Sequence, residues 1–193
     1  LNFTKEKRVD ATAEIDFNFK NMELDNIKIL KYNESQKKMD GLIQFSDQIK
    51  PFKNLELNFE KEKKKIEIKL KRNKGKDQLF LKGDYFDFTN ILKDFIFDNK
   101  KEDNILTKFQ PLIINLKSKQ ILVSENQSIY NVDALMEYDQ KLFKEIKLNS
   151  ELENQGKHLI LNLTTKNKER ELKISSNDAG LLLKKFNINK SGK

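Results

Sequence analysis

Side chains able to do covalent or metal chemistry are scarce in this chain. Among 193 residues there is one histidine, His158, and no cysteine. That excludes a disulfide framework, a thiol nucleophile, Cys-ligated zinc, an iron–sulfur cluster and any multi-histidine metal site. The carboxylates that invite attention are Asp87, with Asp84 beside it, and Asp178. An aspartate at the start of an amphipathic stretch can act as general acid or metal ligand. It can equally cap a helix by accepting a bond from an unpaired backbone N–H. No histidine and no further carboxylate stands near either position, so both are read as structural helix caps. His158 precedes the alternating run that starts at Leu159, which places it on the surface next to a turn. Lys74-Gly75-Lys76 is a turn and lacks the spacing of a phosphate loop. No catalytic, cofactor-binding or metal-ligating residue is assigned, and the chain is expected not to be an enzyme.

The charge balance narrows the partners. Lys and Arg number 38 against 30 Asp and Glu, a net charge of +8. Only Arg8, Arg72 and Arg170 are arginine, the residue that clamps phosphate and reads guanine through two parallel bonds. The lysines alternate with glutamate and aspartate, so they describe solvated faces, and no nucleic-acid partner is expected. No run approaches the roughly 18 apolar residues that a helical membrane span requires.

The elements that position these residues are strands. Ala13, Ile15, Phe17 and Phe19 alternate with polar residues, and so do Leu55, Leu57 and Phe59. The pattern returns at Ile66–Leu70, Tyr130–Tyr138, Ile146–Leu148, Leu159–Leu163 and Leu172–Ile174. A period of two gives each run one apolar and one polar face. Short polar connections, among them Asn33–Gln36, Asn73–Lys76, Glu153–Gly156 and Lys166–Lys168, imply antiparallel hairpins. Two stretches change to helical spacing, Asp87–Phe97 and Asp178–Phe186. The expected fold is mainly β: antiparallel meandering strands in an elongated curved sheet or groove, with a few short amphipathic helices. No Pro/Gly-rich linker divides it, so residues 1–193 form one β-rich region.

The helical stretches echo one another. Leu81, Lys82, Asp87, Leu92, Lys93 and Phe95 recur at equal offsets as Leu172, Lys173, Asp178, Leu183, Lys184 and Phe186. Each copy is a strand, a polar turn with Asp, then a helix, which suggests two repeat units of about 1–98 and 111–193. The segment LKGDYFDFTNILKDF resembles the strand–turn–helix signature of AsmA-like proteins of Gram-negative bacteria. LKISSNDAGLLLKKFNI is similar to a second signature of that family, in its YhdP-type subgroup; Lys184 or Lys185 stands where the family commonly has Arg.

The resemblance implies an internal or C-terminal section of a periplasmic protein held in the inner membrane by an anchor outside this sequence. It also implies a β-groove whose apolar inner face passes phospholipid acyl chains between the inner and outer membranes, without catalytic residues or a cofactor. Its partners would be acyl chains and further repeats of the same chain. Candidate lipid-lining residues are Ile15, Phe17, Phe19, Leu57, Phe59, Ile68, Val132 and Leu161. Phe45, Phe80, Phe86, Phe88, Phe95 and Phe97 are further inner-face candidates. The competing reading is a β-rich scaffold that binds protein partners along exposed strand edges.

Overall fold

A computed structural model describes residues 11–34, 37–45, 52–89, 111–139, 142–154, 156–166 and 169–186. Eleven strands form one sheet whose spatial order is the order of the chain. They are β1 (Ala11–Lys20), β2 (Glu23–Glu34), β3 (Lys37–Gln44), β4 (Asn54–Lys61), β5 (Lys64–Lys71) and β6 (Asp77–Asp87), then β7 (Leu112–Ser124), β8 (Gln127–Tyr138), β9 (Phe143–Glu151), β10 (His158–Lys166) and β11 (Glu169–Ser176). One short helix among the described residues, α1 (Ala179–Lys185), follows β11. The protein is therefore mainly β, a curved sheet of mostly antiparallel strands. At the usual spacing of about 4.8 Å per strand, the sheet is about 50 Å across.

Tight hairpins set the registers. Asn21 and Met22 close β1–β2, and Glu62 and Lys63 close β4–β5, all four with positive φ. Consecutive left-handed residues are the geometry of the type I′ turn, whose twist matches that of paired strands. None of the four is glycine, so each turn carries backbone strain that pairing of the flanking strands must offset.

One junction departs from the expected hairpins: β6 and β7 run parallel, with Leu81 opposite Leu116. A parallel pair needs a crossover of a dozen or more residues. The connection begins at Phe88; the expected helix over Asp87–Phe97, with Phe95 and Phe97, lies outside the described residues from position 90 onward. The sheet is thus two antiparallel meanders, β1–β6 and β7–β11, joined by this one parallel contact.

β2 carries two register shifts against β1, at Glu14/Ile15 and Asn18/Phe19. Each inserts a residue into β2, so its apolar side chains fall at Leu24, Ile27, Ile29 and Tyr32 rather than at every second position. β3 contains Gly41, where an added Cβ would lie 2.5 Å from the Glu56 carbonyl oxygen and 2.7 Å from Leu57 Cδ2. Close approach of β3 to β4 requires glycine there.

The core sits on one face, over the second meander. Leu116, Ile121, Val123, Ile129, Val132, Ala134, Leu152 and Leu159 form a buried cluster against which Leu181, Leu182 and Phe186 of the α1 region pack. A second cluster joins Leu70 on β5 to Leu112, Ile114, Tyr138, Phe143 and Leu163. At the hairpin between β5 and β6, Asp77 is fully buried. Its Oδ2 accepts from Arg72 Nε at 3.2 Å and its Oδ1 from the Asn73 N–H at 3.4 Å.

Candidate functional site

The strand registers align side chains into files that cross the whole sheet. One file begins at Phe17 on β1 and passes through Ile27, Ile43 and Leu55. It continues as Leu70, Leu79 and Ile114 and ends as Met136, Ile146, Leu163 and Leu172. Every position in it is apolar. The file beside it runs Ile15, Ile29, Gly41, Leu57, Ile68 and Leu81, then Leu116, Ala134, Leu148, Leu161 and Ile174. A third row flanks these over the first meander, with Tyr32, Met39, Phe59 and Ile66 in register. Adjacent files are two residues apart along a strand, about 7 Å. Together they make a greasy band that runs unbroken from one edge of the sheet to the other.

The opposite face is mainly polar, with Leu42, Phe80, Leu135 and Ile160 among its apolar exceptions. Its matching file is Asp16, Lys28, Leu42, Glu56 and Lys69 on the first strands, with Lys147, Asn162 and Lys173 on the last. Opposite charges meet there: Lys117 with Asp133 at 3.1 Å and Lys69 with Glu67 at 2.7 Å. Phe80 lies on this face, between Lys69 and Asn115, and is exposed. Its expected place on the inner face is corrected: the period of two puts Leu79 and Leu81 inward and turns Phe80 outward.

Cover along the apolar band is uneven. In the centre Ile114 is 5% exposed. At the β1 edge Phe17 is 57% and Phe19 66% exposed, and at the β11 edge Leu172 and Ile174 are also exposed. Across β2–β4 the inward side chains are only partly covered. α1 covers one core cluster of the second meander, whereas no helix among the described residues lies over β1–β4.

All eight candidate lining residues fall on the apolar face. Ile15, Phe17 and Phe19 are exposed, while Leu57, Phe59, Ile68 and Leu161 are half-buried. Val132 differs: it is 3% exposed inside the cluster that α1 covers, so protein atoms already seal it. Residues that periodicity did not mark, chiefly Ile27, Ile29 and Ile43, complete the band across β2 and β3. The signal of Ile27 and Ile29 is hidden by the extra residues in β2, and that of Ile43 by Gly41 in β3.

The aspartates have structural partners. Asp178 is the N-cap of α1, its Oδ1 accepting from the Leu181 N–H at 2.8 Å. Lys157 donates to its Oδ2 at 2.8 Å, and that bond, with the Leu181 N–H, holds its carboxyl below the usual aspartate range. Asp87 ends β6 and accepts from the Thr89 N–H at 3.0 Å, which lowers its pKa as well. Asp84 pairs with Lys119 at 2.8 Å and accepts from the Lys65 N–H at 2.9 Å; the lysine is the larger cause of its lowered pKa. A general acid needs the opposite shift. Among the described residues no group of acidic or histidine side chains is arranged to hold a metal ion, and no helix is long and apolar enough to cross a membrane.

The chain matches no protein-family model, no curated protein and no solved structure.

Proposed function

We propose that this chain is a non-enzymatic lipid-binding segment whose apolar sheet face holds phospholipid acyl chains, as part of a periplasmic groove between the inner and outer membranes. The observation that carries the reading is the pair of apolar files crossing all eleven strands, open at β1–β4, covered by protein in the middle and exposed again at β11. Exposed apolar area of that extent is costly in water, at about 25 cal/mol per Å². An acyl chain removes the cost, gaining about 0.8 kcal/mol for each methylene it buries. The AsmA-like resemblance supports the compartment and the inner-membrane tether, and the two meanders, each followed by a capped turn, support a tandem repeat.

The test is co-purification. Protein isolated from membranes under mild conditions carries phospholipid visible by native mass spectrometry, and Phe59→Glu removes that lipid while far-UV circular dichroism stays strand-like. Protein that carries no lipid, or a Phe59→Glu variant that retains it, defeats the proposal. The scaffold reading draws on the exposed edges of β1 and β11; it predicts a protein partner in place of lipid.

A further inference from the structure

The apolar face ends differently at its two ends. Beyond Leu70 and Leu79 the next inward residues are Arg72 and Asp77, which neutralise each other in a buried pair. At the other end, one step past Met39, Phe59 and Ile66, the next inward residues are Lys37, Lys61 and Lys64. They stand directly opposite one another: Lys37 with Lys61, and Lys61 with Lys64. Like charges facing each other across paired strands are destabilising. The β4–β5 turn enforces the second juxtaposition, because its two left-handed residues, Glu62 and Lys63, leave Lys61 and Lys64 as the closing pair. Glu34 is the register partner of Lys37 on β2. Neither Lys61 nor Lys64 makes an ion pair among the described residues, and Lys64 Nζ lies 4.4 Å from the centre of the Tyr85 ring. On the polar face, by contrast, lysines sit beside carboxylates.

We infer that the Lys61–Lys64 pair is a subsite for the anionic headgroup of an amphiphile whose chain lies on the apolar files. This rests on the lipid-binding reading and adds an orientation to it. A phosphate or carboxylate set between the Lys61 and Lys64 ammonium groups relieves their mutual repulsion, while the tail extends along β4 over Phe59, Leu57 and Leu55. From Lys61 to Leu55, β4 offers about 20 Å of apolar track, and beyond it Leu70 is sealed in the core. The face would therefore take an amphiphile in one direction, head toward the β4–β5 turn.

Calorimetric titration separates the possibilities, with lysophosphatidic acid, the monoacylglycerol of the same chain, and inorganic phosphate as probes. The wild-type protein is expected to bind the anionic amphiphile about tenfold more tightly than the neutral one at low salt, the effect of two exposed charge contacts. High salt should erase the difference. The double substitution Lys61→Gln/Lys64→Gln should bring the two affinities together, whereas Lys147→Gln/Lys173→Gln on the polar face, with the same loss of charge, should keep the preference. Equal binding of both amphiphiles by the wild type overturns the headgroup subsite and leaves the lipid-binding reading standing. Failure of both amphiphiles to bind overturns both. Inorganic phosphate binding as tightly as the anionic amphiphile would make the pair a free-anion site and overturn the assignment to a lipid head.

Discussion

Truncating two side chains of one file separates a packed core from an open trough. Ile114 and Phe17 belong to the same apolar file, but Ile114 is 5% exposed and Phe17 57%. Ile114→Ala removes buried methylenes and leaves a cavity, at a cost of about 2–5 kcal/mol. For Phe17, roughly 40% of the residue is covered. A fully buried phenylalanine hides about 150–250 Å², so about 60–110 Å² is at stake. At about 25 cal/mol per Å² this is at most about 2–3 kcal/mol, and partial burial in the unfolded chain, with the carbon that alanine keeps, reduces it to about 1 kcal/mol. Urea denaturation followed by far-UV circular dichroism reads both values. The same two variants, scored for bound phospholipid, should rank the other way: Phe17→Ala loses lipid with little loss of stability. A Phe17→Ala variant as unstable as Ile114→Ala would show that β1 is sealed by protein, and the open-face reasoning fails with it.

Four further outcomes follow from the same geometry. Asp77→Ala should destabilise the fold by about 3–5 kcal/mol, because it takes the buried carboxylate away from the mostly buried Arg72 guanidinium; pairing it with Arg72→Met should restore much of the loss in the same urea assay. Gly41→Val should cost about 1–3 kcal/mol or more through the clash with the Glu56 carbonyl, and a neutral result would mean that β3 and β4 can separate freely. Asp178 and Asp84 both have folded pKa values below the ordinary 3.8. Their stabilisation is present above that value and is lost as pH falls through the lowered folded pKa, so the unfolding midpoint should drop most steeply below about pH 4, and Asp84→Asn should flatten that acid limb. Lys185 is buried on α1 with its pKa lowered, chiefly by desolvation. Its charge opposes folding at neutral pH, and the penalty fades as pH rises from the folded pKa toward the ordinary 10.5. Lys185→Met should therefore raise the melting temperature at pH 7, and a fall would show that the Tyr130 ring, 5.6 Å away, more than compensates the ammonium for its lost water.

The strands that alternate cleanly were legible from sequence, and so was the chemistry of their ends. β4 and β5 show plain period-two runs, and the lysine-rich segment between them is the turn that polarity suggests. β2 was not legible because two bulges shift its apolar residues out of period, and β3 because Gly41 interrupts its apolar face. β7 escaped for another reason. Its inward positions change from Leu116 and Ser118 to Ile121 and Val123, so no single period fits, and its parallel pairing with β6 depends on a distant crossover rather than on a local turn. The apolar face itself was legible strand by strand. Its continuity was not, since files form only when registers are known. The lysine row escaped for the same reason: Lys37 is far from Lys61 in sequence and adjacent only in the sheet.

Photocrosslinking tests the central claim most directly. A phospholipid carrying a photoreactive group in its acyl chain is bound to the purified protein, irradiated, and the adducts located by peptide mass spectrometry. The account predicts adducts on the apolar side of β1–β4, at Phe17, Leu57 and Phe59, and none on Phe80 or Leu135 of the polar face. Adducts spread equally over both faces, or confined to Phe80 and Leu135, would contradict it.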